Sequence, residues 1–173
     1  RSARDSRFGS LEDMLERHPS RGPNDSALEV EKLAAALSLD LTPRSEEERR
    51  PEIDRARKEA FRAVETPLCD WAREQLSRGG DEIDAPPAAV AAYLDASDAE
   101  IVALREALAD GDVPRWAMRI ELRFQAPIPN LLGHLKVQKL LTADALYRIH
   151  RGEASAASRD LEASLVLNAG LHD

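Results

Sequence analysis

The sequence predicts an all-α protein of antiparallel helical hairpins, packed as a bundle or short solenoid, with one extended strap near residues 115–129. Three observations carry that expectation. Ala, Leu, Glu and Arg dominate while aromatic residues make up 4% of the chain, a vocabulary that favours helices over strands. Leucine and alanine recur three and four residues apart in one segment after another. Proline and glycine fall between those segments and punctuate them. With 43% hydrophobic and 32% charged residues the chain is globular, and 173 residues suffice for one ordinary domain or two small helical lobes.

Residues 1–23 read as an N-terminal arm. It holds a short helix around "SLEDMLERH", with Ser10 placed to cap it and Pro19 to stop it, and then the linker "PSRGPND". A helical lobe is expected over 24–111. Its first helix is capped near Asn24 to Ser26 and turns Leu28, Leu33, Ala34 and Leu37 inward. The longest helical signal runs from "SEEERRPEID" to Gly79 and Gly80. Its stripe of Ile53, Ala56, Ala60, Phe61, Val64, Leu68, Trp71, Ala72 and Leu76 keeps its phase through Pro67, which favours one kinked helix over two. The dense charges at its start read as a solvated helix face, with pairs such as Asp54 and Lys58 four residues apart. A short helix opens after Pro86 and Pro87, and a second opens at "SDAE", where Ser97 and Glu100 match a capping box. Ile101, Leu104 and Leu108 face inward, and Gly111 ends the run.

Residues 112–129 form a connector. In "RWAMRIELRF", Trp116, Met118, Ile120, Leu122 and Phe124 alternate with other residues, a strand signal with no second alternating run to pair with. An extended strap across the helices is the expectation. Pro127 and Pro129 keep the backbone extended, and Asn130 caps the next helix.

Residues 130–173 read as a helical hairpin. The first helix is apolar around most of its circumference, so it should be covered on more than one side. The second carries a narrower stripe of Ala157, Leu161, Ser164 and Leu165. With Leu141 and Ala145 on the first helix, Gly152 at the turn, and Ala157, Leu161 and Ser164 following, the hairpin resembles a tetratricopeptide unit. Arg148 and Ala169 depart from that pattern, where the family has an aromatic residue and a proline, and no second copy occurs at the family's period. A generic helical hairpin fits the same residues. A longer stretch, from "NDSALEVEKLAAALSLDL" through "PPAAVAAYL" and "APIPNLLGHLKVQKLL" to "RGEASAASRDLEASLVLN", resembles a group of uncharacterised bacterial helical proteins. That resemblance implies a membrane anchor before this region, more helix after it, and a place at the cell envelope. The absence of a starting Met fits a processed or trimmed product.

Several chemistries are disfavoured. A net charge of -8, with arginines interleaved among Glu and Asp, leaves no basic patch for nucleic acid or an anionic membrane. Cys69 is the single cysteine, so no intrachain disulfide, CxxC pair or Cys-rich zinc site can form. No apolar run is long enough to span a membrane. His18 and His172 lie near the ends, and His134 and His150 share one helix about 160° apart, so no metal or cofactor is expected. Phosphate loops, dinucleotide fingerprints and nucleophile elbows are absent.

The functional expectation is a non-enzymatic interaction or assembly module, a subunit of a larger and membrane-associated complex in one version. It would bind a protein partner or a second copy through its C-terminal helix. The residues that carry it are Leu161, Leu165 and Leu167, with Trp116 and Phe124 on the strap. The alternative is a small-ligand or enzymatic pocket along the polar line Asn130, His134 and Gln138.

Overall fold

The computed structural model describes residues 11–17, 19–79 and 82–171. The described residues form an all-α protein: α1 (Leu11–Arg17), α2 (Asp25–Ala36), α3 (Arg55–Arg78), α4 (Ala88–Ala96), α5 (Asp98–Asp110), α6 (Leu131–His150) and α7 (Ala154–Ala169). Two 3-10 turns, Arg44–Arg49 and Ile120–Gln125, lie in the connections. Neighbouring pairs run α5–α7, α7–α6, α6–α3, α3–α4 and α4–α5, which closes a ring, and α2 lies against α5. Leu68, Leu94, Ile101, Leu104, Leu140 and Leu141 fill the interior of that ring. Ser10, His18, Gly80 and His172 fall outside the described residues.

α2 begins where Asn24 accepts a hydrogen bond from the Ala27 amide at 2.9 Å. Its buried face is Ala27, Val30, Glu31, Ala34 and Ala35; of the expected stripe, Ala34 and Leu37 are buried and Leu33 packs partly buried against the core. Leu28 is exposed, because the small residues let α2 approach α5 closely and so win the inner side.

α3 is one continuous helix through Pro67, about 36 Å long, as its unbroken stripe predicts. It starts later than the charge run. Pro51 disfavours helix in the residue before it, so Arg50 is extended, and residues 50–54 lie outside any helix. Asp54 spends its carboxylate as the cap, accepting from the Arg57 amide at 2.9 Å, in place of pairing with Lys58. Inside α3 the buried side is Phe61, Val64, Leu68, Trp71, Ala72 and Gln75, while Leu76 is exposed.

Only Ser97 separates α4 from α5. Its backbone, at φ -108° and ψ 5°, is too close to helical for a cap, and its side chain makes no capping bond. Glu100 instead pairs with Arg57 across to α3 at 2.6 Å, so the capping box predicted here does not form.

The alternating segment does not become a strand. Met118 and Arg21 form one antiparallel bridge, with N–H to O distances of 2.8 and 2.9 Å, and the chain then coils into the turn Ile120–Gln125. With no second run to extend the ladder, the backbone satisfies itself locally. Before the bridge, Asn24 holds the strap from both ends of its amide: it donates to Val113 and accepts from the Arg115 amide.

α6 and α7 form an antiparallel hairpin turned at Gly152, whose φ of 78° suits a residue without a side chain. Ala143, Ala145, Ala157 and Ala163 are buried, which lets the two helices cross closely. At the other end of α6, a Cβ on Gly133 would stand 1.9 Å from the Asp40 carbonyl oxygen, so glycine is required for the loop after α2 to pass.

Candidate functional site

Leu131, Leu135, Gln138 and Thr142 are spaced i, i+4, i+7 and i+11, so they fall on one side of α6. Leu161, Leu165 and Asn168 fall on one side of α7 by the same rule. The Gln138 side-chain amide donates to the Asn168 side-chain oxygen, which brings the two stripes edge to edge. On the opposite flank of the α6 stripe, α3 contributes Cys69, Ala72 and Leu76 to a groove of about 340 Å³ shared with Leu135, Gln138 and Thr142. Leu76 is 64% exposed, Leu135 44%, Leu161 48% and Leu165 68%. The exposed leucines of α3 and α6 thus lie to one side of the Gln138–Asn168 bond and those of α7 to the other, on an open surface formed by three helices. Large contiguous apolar faces are uncommon on monomeric proteins and mark interaction sites.

These leucines are outside because the inward positions of α7 are taken. Ala157, Asp160, Ala163 and Leu167 point into the ring, and Leu167 is 0% exposed. Leu167 therefore offers nothing to a partner. Trp116 does not either: it is buried with its ring centroid 4.5 Å from that of His134, edge against face. Phe124 is fully exposed. With Ile128, Leu131 and Leu132 it rims a second hollow of about 420 Å³ at the start of α6, where Pro127 and Pro129 hold the approaching chain extended.

The polar line on α6 does not form a groove floor. Asn130 is the helix cap: it accepts from the Gly133 amide at 3.3 Å and donates to the Asp40 carbonyl at 2.8 Å. His134 is 1% exposed and its Nδ1–H donates to the Asn130 carbonyl at 2.9 Å. Burial holds its imidazole below the ordinary histidine range, although the bond to Asn130 pulls the other way. Gln138 is committed to Asn168. The three residues share a helix side but serve a cap, the core and a surface bond. His150 donates to the Ile83 carbonyl at 2.8 Å. Among the described residues, no group of three or more His, Cys, Asp or Glu is placed to hold a metal ion.

A second feature went unread in the sequence. Arg148 is buried on α6 and binds Asp144 at 2.7 Å, Asp98 at 2.6 Å and Glu153 at 3.0 Å. Asp160 of α7 is wholly buried beside them, 3.4 Å from Arg105 of α5 and 3.5 Å from Arg148. Burial, followed by the charge of Asp144, pushes the Asp160 carboxyl up to about 7, and the two arginines only partly oppose this. The cluster ties α5, α6 and α7 together from within. It explains why position 148 is not aromatic. Its one sequence signal is the i, i+4 pair Asp144 and Arg148 inside a helix that is apolar around most of its circumference.

Comparison with protein-family models, with curated proteins and with solved structures found no match for the chain.

Proposed function

We propose that the protein is a non-enzymatic interaction or assembly module that binds through the open face of α3, α6 and α7. The observation that carries this is the alignment of Leu76, Leu135, Leu161 and Leu165 on one surface, around the Gln138–Asn168 bond. Each of these leucines would gain by leaving water, and a partner is the means, since the ring behind them is already filled. On this proposal α6 and α7 act as a tetratricopeptide-like pair whose outer side is the binding side, with Ala145 and Ala157 at their crossing. Membership of a membrane-associated complex would come from outside these elements. Among the described residues, no helix is long and apolar enough to cross a membrane.

Affinity capture from an extract of the source cells tests this. The chain should retain at least one protein that the folded double variant Leu135→Glu, Leu165→Glu does not. Identical retention by both, with matching circular dichroism, would contradict it.

A further inference from the structure

The charges around the face indicate what kind of helix it takes. From Leu131 to Ala143, α6 carries no carboxylate, and its only charges are Lys136 and Lys139, in a chain of net charge -8. Lys136 is paired with Glu65 at 3.0 Å. Lys139 has no ion-pair partner among the described residues, and it stands on the α6 wall of the groove between α3 and α6. Arg73 stands on the opposite wall. Its partner is Asp70, an exposed neighbour at i, i+3, and such pairs hold their cation only weakly. Among the described residues, none that lines this groove is acidic. Glu162, the acidic residue exposed on α7, is one turn from Leu165, about 4.5 Å along the helix, so the part of the face that favours carboxylates is the groove between α3 and α6.

The shape favours a helix. Leu131 to Thr142 extends about 16 Å along α6, three turns of an occupant laid between neighbouring helices, and leucines flank it on α3 and α7. A second copy suits it less, since two chains of net charge -8 repel. We propose, resting on the interaction reading of this face, that it takes an amphipathic helix of a partner protein that bears carboxylates beside its apolar stripe. Leu76, Leu135 and Leu165 would cover the stripe, and Lys139 and Arg73 would meet the carboxylates from the two sides. Charge then selects the partner and the leucines hold it.

Two labelled synthetic helices of about 15 residues, long enough to span the face, serve as probes. Both carry leucine at i, i+3 and i+4 spacing; one has glutamate beside the stripe and the other lysine. Fluorescence anisotropy at low salt should give the acidic peptide an affinity at least about tenfold higher, a preference that shrinks as salt screens it. The double variant Lys139→Glu, Arg73→Glu should reverse the order, and Leu135→Glu should abolish binding of both. Equal binding of the two peptides, or a lysine preference, would overturn the acidic partner; if Leu135→Glu still abolished both, the apolar face itself would stand. Binding of neither peptide would overturn both. Self-association of the chain that Leu135→Glu abolishes would make the occupant a second copy and overturn the proposal.

Discussion

Asp144 and Arg148, one turn apart on α6, meet at 2.7 Å with both side chains almost wholly out of water. Arg148 is the hub that also reaches Asp98, Glu153 and Asp160. Burial disfavours its charge, but Asp144, Asp98 and Asp160 outweigh that and hold it protonated. Breaking such a network from one side leaves uncompensated charge inside. Arg148→Met should therefore cost about 3–5 kcal/mol at pH 8. The cost should shrink at pH 5, where Asp160 takes up a proton. Urea unfolding at the two pH values checks this, and equal costs would contradict it.

Asp160 has its own signature. Its carboxyl titrates near 7 in the folded protein and near 3.8 when free, so between those values the folded state holds a proton that the unfolded chain lacks. Stability from this group is thus full at low pH and is lost as pH rises through 7. Asp160→Asn cannot titrate. Its stability profile should fall less than the wild type's between pH 4 and 7, and parallel profiles would count against a buried, protonated Asp160.

His134 works in the opposite direction. Burial lowers its pKa, so below about 6.5 the unfolded chain gains a proton that the folded core resists. Stability from this group is therefore lost as pH falls from about 6.5 toward the lower folded value. In ¹⁵N-resolved spectra the ring should titrate below the ordinary histidine value, its neutral form carrying the proton on Nδ1. A midpoint at the ordinary histidine value would remove His134 from the closed core.

The two sides of α7 should differ in kind. Leu167 is enclosed, so Leu167→Ala should cost about 2–5 kcal/mol through the cavity it leaves. Leu165 is 68% exposed, so Leu165→Ala should stay within about 0.5 kcal/mol. Thermal unfolding of the two variants separates them. Similar losses would mean that α7 is rotated from the orientation described.

The long elements were readable because cap and stripe agreed. Asn24, Gly79, Asn130 and Gly152 mark ends that the folded chain uses, and α3 keeps its phase through Pro67. What misled was hydrophobicity taken alone. On α7 the leucines at 161 and 165 outweigh their neighbours in the sequence, yet a close helix crossing prefers Ala157 and Ala163, and an arginine pair lets Asp160 come inside. Trp116 and Phe124 looked equivalent in an alternating segment. The bridge at Met118 and the 3-10 turn after it send one into the core and the other into water. Alternation specifies a strand only when another strand is present to receive it. The open face itself was half legible: Leu161 and Leu165 belong to it, but Leu76 and Leu135 were assigned to covered stripes, because one sequence does not say which side of a helix its neighbours leave free.

The open face of α3, α6 and α7 is the centre of this account, and side-chain footprinting probes it directly. Hydroxyl-radical labelling would be applied to the purified chain and again to the chain in an extract of its own cells. Leu76, Leu135, Leu161 and Leu165 should all label in isolation and be protected together in the extract, while the exposed Leu28 on α2 labels equally in both. Unchanged labelling at the four leucines, or protection spread evenly to Leu28, would contradict the assignment of this face to a partner.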